Sequence, residues 1–164
     1  MLHQPEIPNN TGNIGRSCLA LGAALHLIRP LGFETSVKAL RRAGLDYWPR
    51  LRPREHESWE AFRKAEPDRP LWLLTTRASR PLFEVRLRPG DALVFGRETA
   101  GLPEDLLRRH PDRLVTLPMM PAERSLNLAT AVCAALCEGV RQLIGSGDVT
   151  LDEQGRLVNL RNLG

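Results

Sequence analysis

Lysine is nearly missing from this chain. Of its 23 lysine and arginine residues, only Lys38 and Lys64 are lysines. Arginine therefore carries almost all of the positive charge. Codon bias or heat adaptation explains this as readily as a need for the guanidinium fork on phosphates and base planes. Cysteine is scarce as well. Three residues, an odd number without framework spacing, exclude a disulfide scaffold and fit a reducing compartment. No apolar run approaches the ~20 residues that cross a bilayer, and no basic-then-apolar leader opens the chain. The expectation is a soluble, cytoplasmic protein without a membrane partner. No internal repeat, low-complexity block or long linker interrupts it.

What is present describes one domain with a core. The chain has 164 residues, 42% hydrophobic and 26% charged, which is ordinary for a single domain. It is read as one domain over 1–164, with a core of about 2–145 and a tail over 146–164. The net charge of +4 and a pI near 9.5 point to a polyanionic partner. Arg50, Arg52 and Arg54 lie beside Tyr47 and Trp48, with Arg41 and Arg42 just upstream. Arginines interleaved with aromatics suit unpaired RNA bases, and they suit a solvated face equally.

Short, wholly apolar runs bounded by breakers predict buried strands at Ala24 to Ile28, Leu71 to Thr75, Ala92 to Phe95 and Leu114 to Leu117. Helices are predicted over Thr11 to Leu21, Ser36 to Arg42, Ser58 to Ala65, the LPEDLLRR segment and Leu126 to Ile144. The last is apolar on most faces, as suits a buried helix or a subunit interface. Alternation of strand and helix predicts an α/β fold with a mainly parallel sheet flanked by helices. Only Met1 to Gln4 precede PEIP, which is little for a first strand. The tail VTLDEQGRLVNL carries a weak hairpin signal.

Three stretches place glycine and polar groups at predicted strand ends, where open α/β sheets bind ligands. In PEIPNNTGNIGR, the loop turns into a helix that carries Asn10 and, further on, Arg16. In VFGRETAGLP, Gly96 and Gly101 flank Glu98. This is neither a P-loop, since the Lys-Ser/Thr pair is absent, nor a GxGxxG fingerprint. Two tight-turn glycines with positive φ explain it equally well. In LPMMPAERSLNLATAV, Ser125 reads as the helix N-cap, Asn127 follows in the first turn, and the apolar PMMP loop suits a flat heterocycle. Together the loops suit a ligand with ribose and an adenine-like ring but no phosphate. S-adenosylmethionine fits, because its cationic sulfonium tolerates a carboxylate.

PEIPNNTGNIGR, LRRAGLDYW, LVFGRETAGLP and PMMPAERSLNLATAV, in that order and spacing, resemble the SPOUT superfamily of knotted methyltransferases. More closely, they resemble its small tRNA (cytidine/uridine-2′-O)-methyltransferases. The resemblance spans roughly Leu2 to Ile144. It implies a C-terminal deep trefoil knot, a homodimer, tRNA as partner, and S-adenosylmethionine as methyl donor with no metal. It implies 2′-O-methylation at the wobble nucleotide. Related alternatives are ribosomal RNA, another tRNA position, or a non-catalytic RNA-binding dimer. By position, Leu74, Gly96, Leu117 and Ser125 would contact the cofactor. Arg16 would sit at the reaction centre, and Asn10, Glu98 and Asn127 would fill the remaining motif positions. Arg41 and Arg42 would contact RNA. The first strand looks truncated beside the family's, as if the sheet had lost an edge. Cys137 stands where relatives can carry an aromatic residue.

Other candidates have plainer readings. Cys133 and Cys137 lie four apart on one helix face, and packing explains them better than metal binding. His3, His26, His56 and His110 are scattered in sequence and form no triad. Trp59 and Phe62 suit the apolar side of a surface helix, and Trp72 suits the core.

Overall fold

The computed structural model describes residues 1–34 and 47–158. The helix expected over 36–42, together with Arg41 and Arg42, lies outside the described residues. The chain begins with β1 (Leu2–His3), α1 (Pro8–Leu21) and β2 (His26–Ile28). Next come α2 (Trp48–Leu51), β3 (Arg54–His56), α3 (Trp59–Ala65) and β4 (Leu71–Leu74). The remainder is β5 (Ala92–Val94), α4 (Glu104–Arg109), β6 (Leu114–Val115), α5 (Leu128–Ser146), β7 (Thr150–Leu151) and β8 (Leu157–Val158).

Two parallel three-stranded ladders, β1-β2-β3 and β5-β4-β6, meet along β1. A parallel bridge pairs Leu2 with Phe95. The His3 N–H donates to the Phe95 carbonyl at 2.8 Å, and the Phe95 N–H donates to the Met1 carbonyl at 3.0 Å. The result is one parallel sheet in the order β3-β2-β1-β5-β4-β6. The short first strand is therefore central, not a lost edge. Two residues suffice because both neighbours bond to it.

Strand runs without alternation predict a sheet covered on both faces, and the packing shows it. Ile14 and Cys18 of α1, Trp48 of α2, and Val132 and Ala135 of α5 join Leu27, Trp72 and Val115 on one face. Phe62 of α3 with Leu106 and Leu107 of α4 joins Ile28, Leu73 and Val94 on the other. Phe62 is fully buried, deeper than a surface helix implies. Trp72 is a core residue, as expected, and its indole N–H donates to Asp91 Oδ2 at 3.1 Å. Strand β3 was not legible as a strand, because its residues are Arg, Glu and His at a sheet edge.

By length and composition alone helix α5 could cross a membrane, a property that core helices of soluble proteins share. Glu138, Arg141 and Gln142 interrupt its apolar run, so no run near ~20 residues shows in the sequence. Its polar groups are anchored within the fold. Gln142 accepts from the Leu87 N–H at 2.8 Å and donates to the Val85 carbonyl at 3.0 Å. Glu138 takes two hydrogen bonds from Arg141. The N-cap is Asn127, not Ser125: the Asn127 Oδ1 accepts from the N–H groups of Ala129 and Thr130. β7 and β8 pair antiparallel, forming the hairpin expected in the tail.

Candidate active site

The chain leaves β1 for β2 through α1 on one face. It leaves β5 for β6 through α4 on the opposite face. β1 and β5 are neighbours, so their following loops diverge and open a crevice, the usual ligand position of such sheets. A cavity of about 460 Å³ occupies this place, large enough for a nucleoside-sized ligand. The loops after β1, β4, β5 and β6 line it. Leu74, Gly96, Leu117, Ser125, Asn10, Glu98 and Asn127 all lie on its wall. Met119 of the PMMP loop is there too, while Met120 points to solvent at 74% exposure.

Glu98 accounts for the shape of the site. Helix α1 starts at Pro8 with Ile7 as N-cap, and no side chain of its own caps it. The Glu98 carboxylate, 92 residues away, accepts from the Glu6 N–H at 2.8 Å and the Ile7 N–H at 3.2 Å. A carboxylate there satisfies otherwise orphaned donors and complements the helix dipole. Its charge thus faces the helix start rather than a ligand. Glu98 also accepts from Asn10 Nδ2 at 3.1 Å. Asn10 Oδ1 in turn accepts from Asn127 Nδ2 at 3.0 Å. One chain of hydrogen bonds therefore ties the β5 loop to the starts of α1 and α5. A second latch was not legible in the sequence: Thr99 donates to the Glu6 carboxylate through its N–H at 3.1 Å and its hydroxyl at 2.8 Å. Glutamates 6 and 98 each serve the other's loop, and nothing in a 93-residue separation announces it.

Gly96 lies on the cavity wall but does not have the positive φ of a tight-turn glycine. A Cβ on it would stand 2.0 Å from the Gly101 carbonyl carbon and 2.2 Å from the Leu102 nitrogen. It is required because its own loop folds back on it, fastened by paired bonds between Arg97 and Gly101. Of the two glycines, only Gly101 has positive φ, at 69°.

Among the described residues, Arg16 is the one expected site residue outside the cavity. It lies on the exposed side of α1, and its guanidinium carbon sits 5.0 Å from the centre of the Tyr47 ring. The cavity carries three arginines, of which Arg77 is paired with Glu104 and Arg97 with Gln4.

The histidines are not scattered in space. His26 Nδ1 lies 3.0 Å from His56 Nε2, and both rings meet Phe62 edge-on. His3 and His110 flank Trp59. Burial lowers the pKa of all four, that of His26 to about 4. They form a neutral cluster apart from the cavity, which strand register assembled and linear spacing concealed. All three cysteines are free. Among the described residues no group of three or more His, Cys, Asp or Glu side chains is placed to hold a metal ion.

The chain is similar to several known RNA methyltransferases. The chain is 47% identical over 143 residues to a tRNA (cytidine(34)-2'-O)-methyltransferase of Methylovorus glucosotrophus, covering 87% of this chain and 93% of that one. A solved structure described as giving structural insights into the 2-OH methylation of C/U34 on tRNA superposes with a TM-score of 0.81. The two are 49% identical over 88% of this chain and 94% of the other. AviRb of Streptomyces viridochromogenes, a SpoU methyltransferase solved with AdoMet, superposes with a TM-score of 0.67 at 30% identity. That match covers 88% of this chain and 59% of AviRb. Residues 1–137 match the model of the SpoU rRNA Methylase family, and the chain belongs to that family.

Proposed function

We propose that this protein transfers a methyl group from S-adenosylmethionine to the ribose 2′-oxygen of the wobble nucleotide, cytidine or uridine, in the tRNA anticodon loop. The observation that carries the reading is the gathering of seven expected site residues on one cavity wall at the carboxyl ends of the strands. The extent of likeness to wobble-nucleotide methyltransferases favours tRNA over ribosomal RNA.

The cavity suits the cofactor. Leu74, Leu117, Leu128 and Ala131 give it apolar walls for a flat ring. Two of its three arginines are already partnered, so it is not built as a phosphate cradle. Leu74, Gly96, Leu117 and Ser125 would hold the cofactor. S-adenosylmethionine supplies a methyl already activated by sulfonium and leaves as S-adenosylhomocysteine, so the reaction needs no metal. The protein's task is then alignment and charge stabilisation. Glu98, Asn10 and Asn127 fix the loops that shape the cavity. A guanidinium is no general base, so Arg16 acts through its hydrogen-bond donors. It clamps the phosphate beside the target ribose and stabilises charge developing on the 2′-oxygen, whose proton passes to that phosphate or to water.

In this reading the chain is a single cytoplasmic domain whose C-terminal part forms a trefoil knot, with Arg41 and Arg42 adding RNA contacts. It acts as a homodimer. Helix α5 is apolar yet only sparsely covered by its own chain, which a second subunit would remedy, and Arg16 stands away from its own cavity.

The test is incubation with labelled S-adenosylmethionine and either total tRNA or ribosomal RNA, followed by nuclease digestion and mass spectrometry. The expected product is 2′-O-methylated nucleotide 34 of tRNA. Methylation confined to ribosomal RNA overturns the substrate, and absence of cofactor binding in calorimetry overturns the enzyme. Arg16→Ala is expected to lose turnover while keeping RNA binding.

A further inference from the structure

Tyr47 is the chain's only tyrosine and is nearly fully buried, yet its two ends do different things. Its hydroxyl donates to the Gly12 carbonyl of α1. Its ring lies under the guanidinium of Arg16, at 5.0 Å, and Arg16 is four residues further along the same helix. The ring is thus fastened one turn below the arginine that rests on it.

The packing around it is set by glycine. A Cβ at Gly15 would stand 2.8 Å from Leu51 Cδ2, 3.3 Å from Trp48 and 3.4 Å from Tyr47. Only a helix face bare at Gly15 lets the Tyr47–Leu51 segment approach this closely. Trp48 is buried against the same cluster as α1, so the shelf that carries the ring is itself held by core packing. An exposed arginine on a bare helix samples many rotamers, and ordering it costs side-chain entropy. A ring face attracts the guanidinium and removes much of that freedom in advance.

We propose that Tyr47 is the positioning residue for Arg16: it fixes the guanidinium in the orientation that meets the RNA, and touches neither substrate nor cofactor itself. The inference rests on the reading of Arg16 as the group at the reaction centre. A purely structural Tyr47 would support the α1–α2 packing and nothing more, and the two roles separate experimentally.

Tyr47→Leu and Tyr47→Phe are made in the full chain, each with Arg16 intact and with Arg16→Lys. Steady-state methylation of tRNA is measured together with the Arg16 Nε–H resonance in arginine-labelled protein. With Arg16 intact, Tyr47→Leu is expected to lower kcat by about 10- to 100-fold, as misplacement of a catalytic group does. KM for tRNA is expected to stay within about twofold, because the loss falls on the transition state. Tyr47→Phe keeps the ring and loses about threefold or less. With Arg16→Lys, the further loss from Tyr47→Leu shrinks to under about threefold, the non-additivity of coupled residues. The Arg16 Nε–H proton is expected upfield from the ring current, unchanged in Tyr47→Phe and shifted downfield in Tyr47→Leu.

An equal penalty from Tyr47→Leu in both Arg16 backgrounds overturns the proposal, as does an Arg16 resonance indifferent to that change. Should Tyr47→Leu fail to fold, Tyr47→Phe decides: an unmoved resonance with the small kcat loss supports the role, and a moved one rejects it. Wild-type turnover in Arg16→Lys refutes the reaction-centre reading of Arg16 and the proposal with it. The resonance then shows whether that failure belongs to Arg16 alone or also to its contact with Tyr47.

Discussion

Two polar clusters sit on the same sheet and find partners in opposite ways. Around the cavity, Glu98, Asn10, Asn127, Glu6 and Thr99 partner one another and the helix starts. Around α3, the histidines stay neutral and incompletely partnered. His3 Nδ1 and His26 Nε2 are buried without a hydrogen bond. The first solution gives each polar group a partner and requires close loop placement. The second surrenders charge and tolerates apolar surroundings. A site that must hold its loops in register through a reaction needs the first kind. A structural cluster between strands needs only the second.

The sharpest way to break the first cluster is to displace its loop. Gly96→Ala places a methyl inside the backbone of residues 101–102, which cannot rotate aside as a side chain would. The expected destabilisation is about 3 kcal/mol, read from urea unfolding, with loss of cofactor binding by calorimetry. Wild-type stability in this variant would show that the β5 loop is free to open.

Removing the central carboxylate is expected to cost slightly less. Glu98→Ala leaves two N–H groups at the start of α1 and the Asn10 amide without their acceptor. About 2 kcal/mol follows from the unsatisfied donors. Glu98→Gln keeps one acceptor oxygen and is expected to lose about half of that. If the two variants unfold at the same urea concentration, the hydrogen bonds are not what Glu98 contributes.

Much of this arrangement was legible before folding, and what was not shares one cause. The strands over 26–28, 71–74, 92–94 and 114–115 read directly, because a strand covered on both faces is mostly apolar. The serine cap at Ser58 was equally plain, and its side chain accepts from the Ala61 N–H. Strand β3 escaped because an edge strand need not be apolar. The role of Glu98 and the meeting of His26 with His56 escaped because both depend on which strands become neighbours, information that local pattern does not hold. The cap at Asn127 escaped for a smaller reason: Ser125 and Asn127 are equally good cap types two residues apart, and the contact with Asn10 selects between them.

The histidine cluster gives the comparison a pH axis. The His26 pKa falls from 6.5 to about 4 on folding, first through burial and then through nearby positive charge. The unfolded chain therefore binds more protons than the folded one between those values, and stability rises with pH across that window. It is fully present above about 6.5 and lost as pH falls toward 4, by at most about 1.4 kcal/mol per pH unit for one site. His3, His56 and His110 shift in the same direction and add to the slope. His26→Leu is expected to flatten unfolding midpoints plotted between pH 6.5 and 4. An unchanged slope would place the linkage elsewhere.

The finest separation concerns Asn127, which joins the two loops by doing two jobs with one amide. Its Oδ1 caps α5 while its Nδ2 reaches Asn10. Asn127→Ser keeps a good cap residue and removes only the reach to Asn10, at a cost of about 1 kcal/mol. Asn127→Ala removes both, and the cap alone is worth about 1 kcal/mol more. Helix stability and loop register are thereby separable. If the serine variant keeps α5 but loosens cofactor binding, the amide serves the cavity. If it matches wild type in both, the cap was its whole contribution, and Glu98 alone holds Asn10 in place.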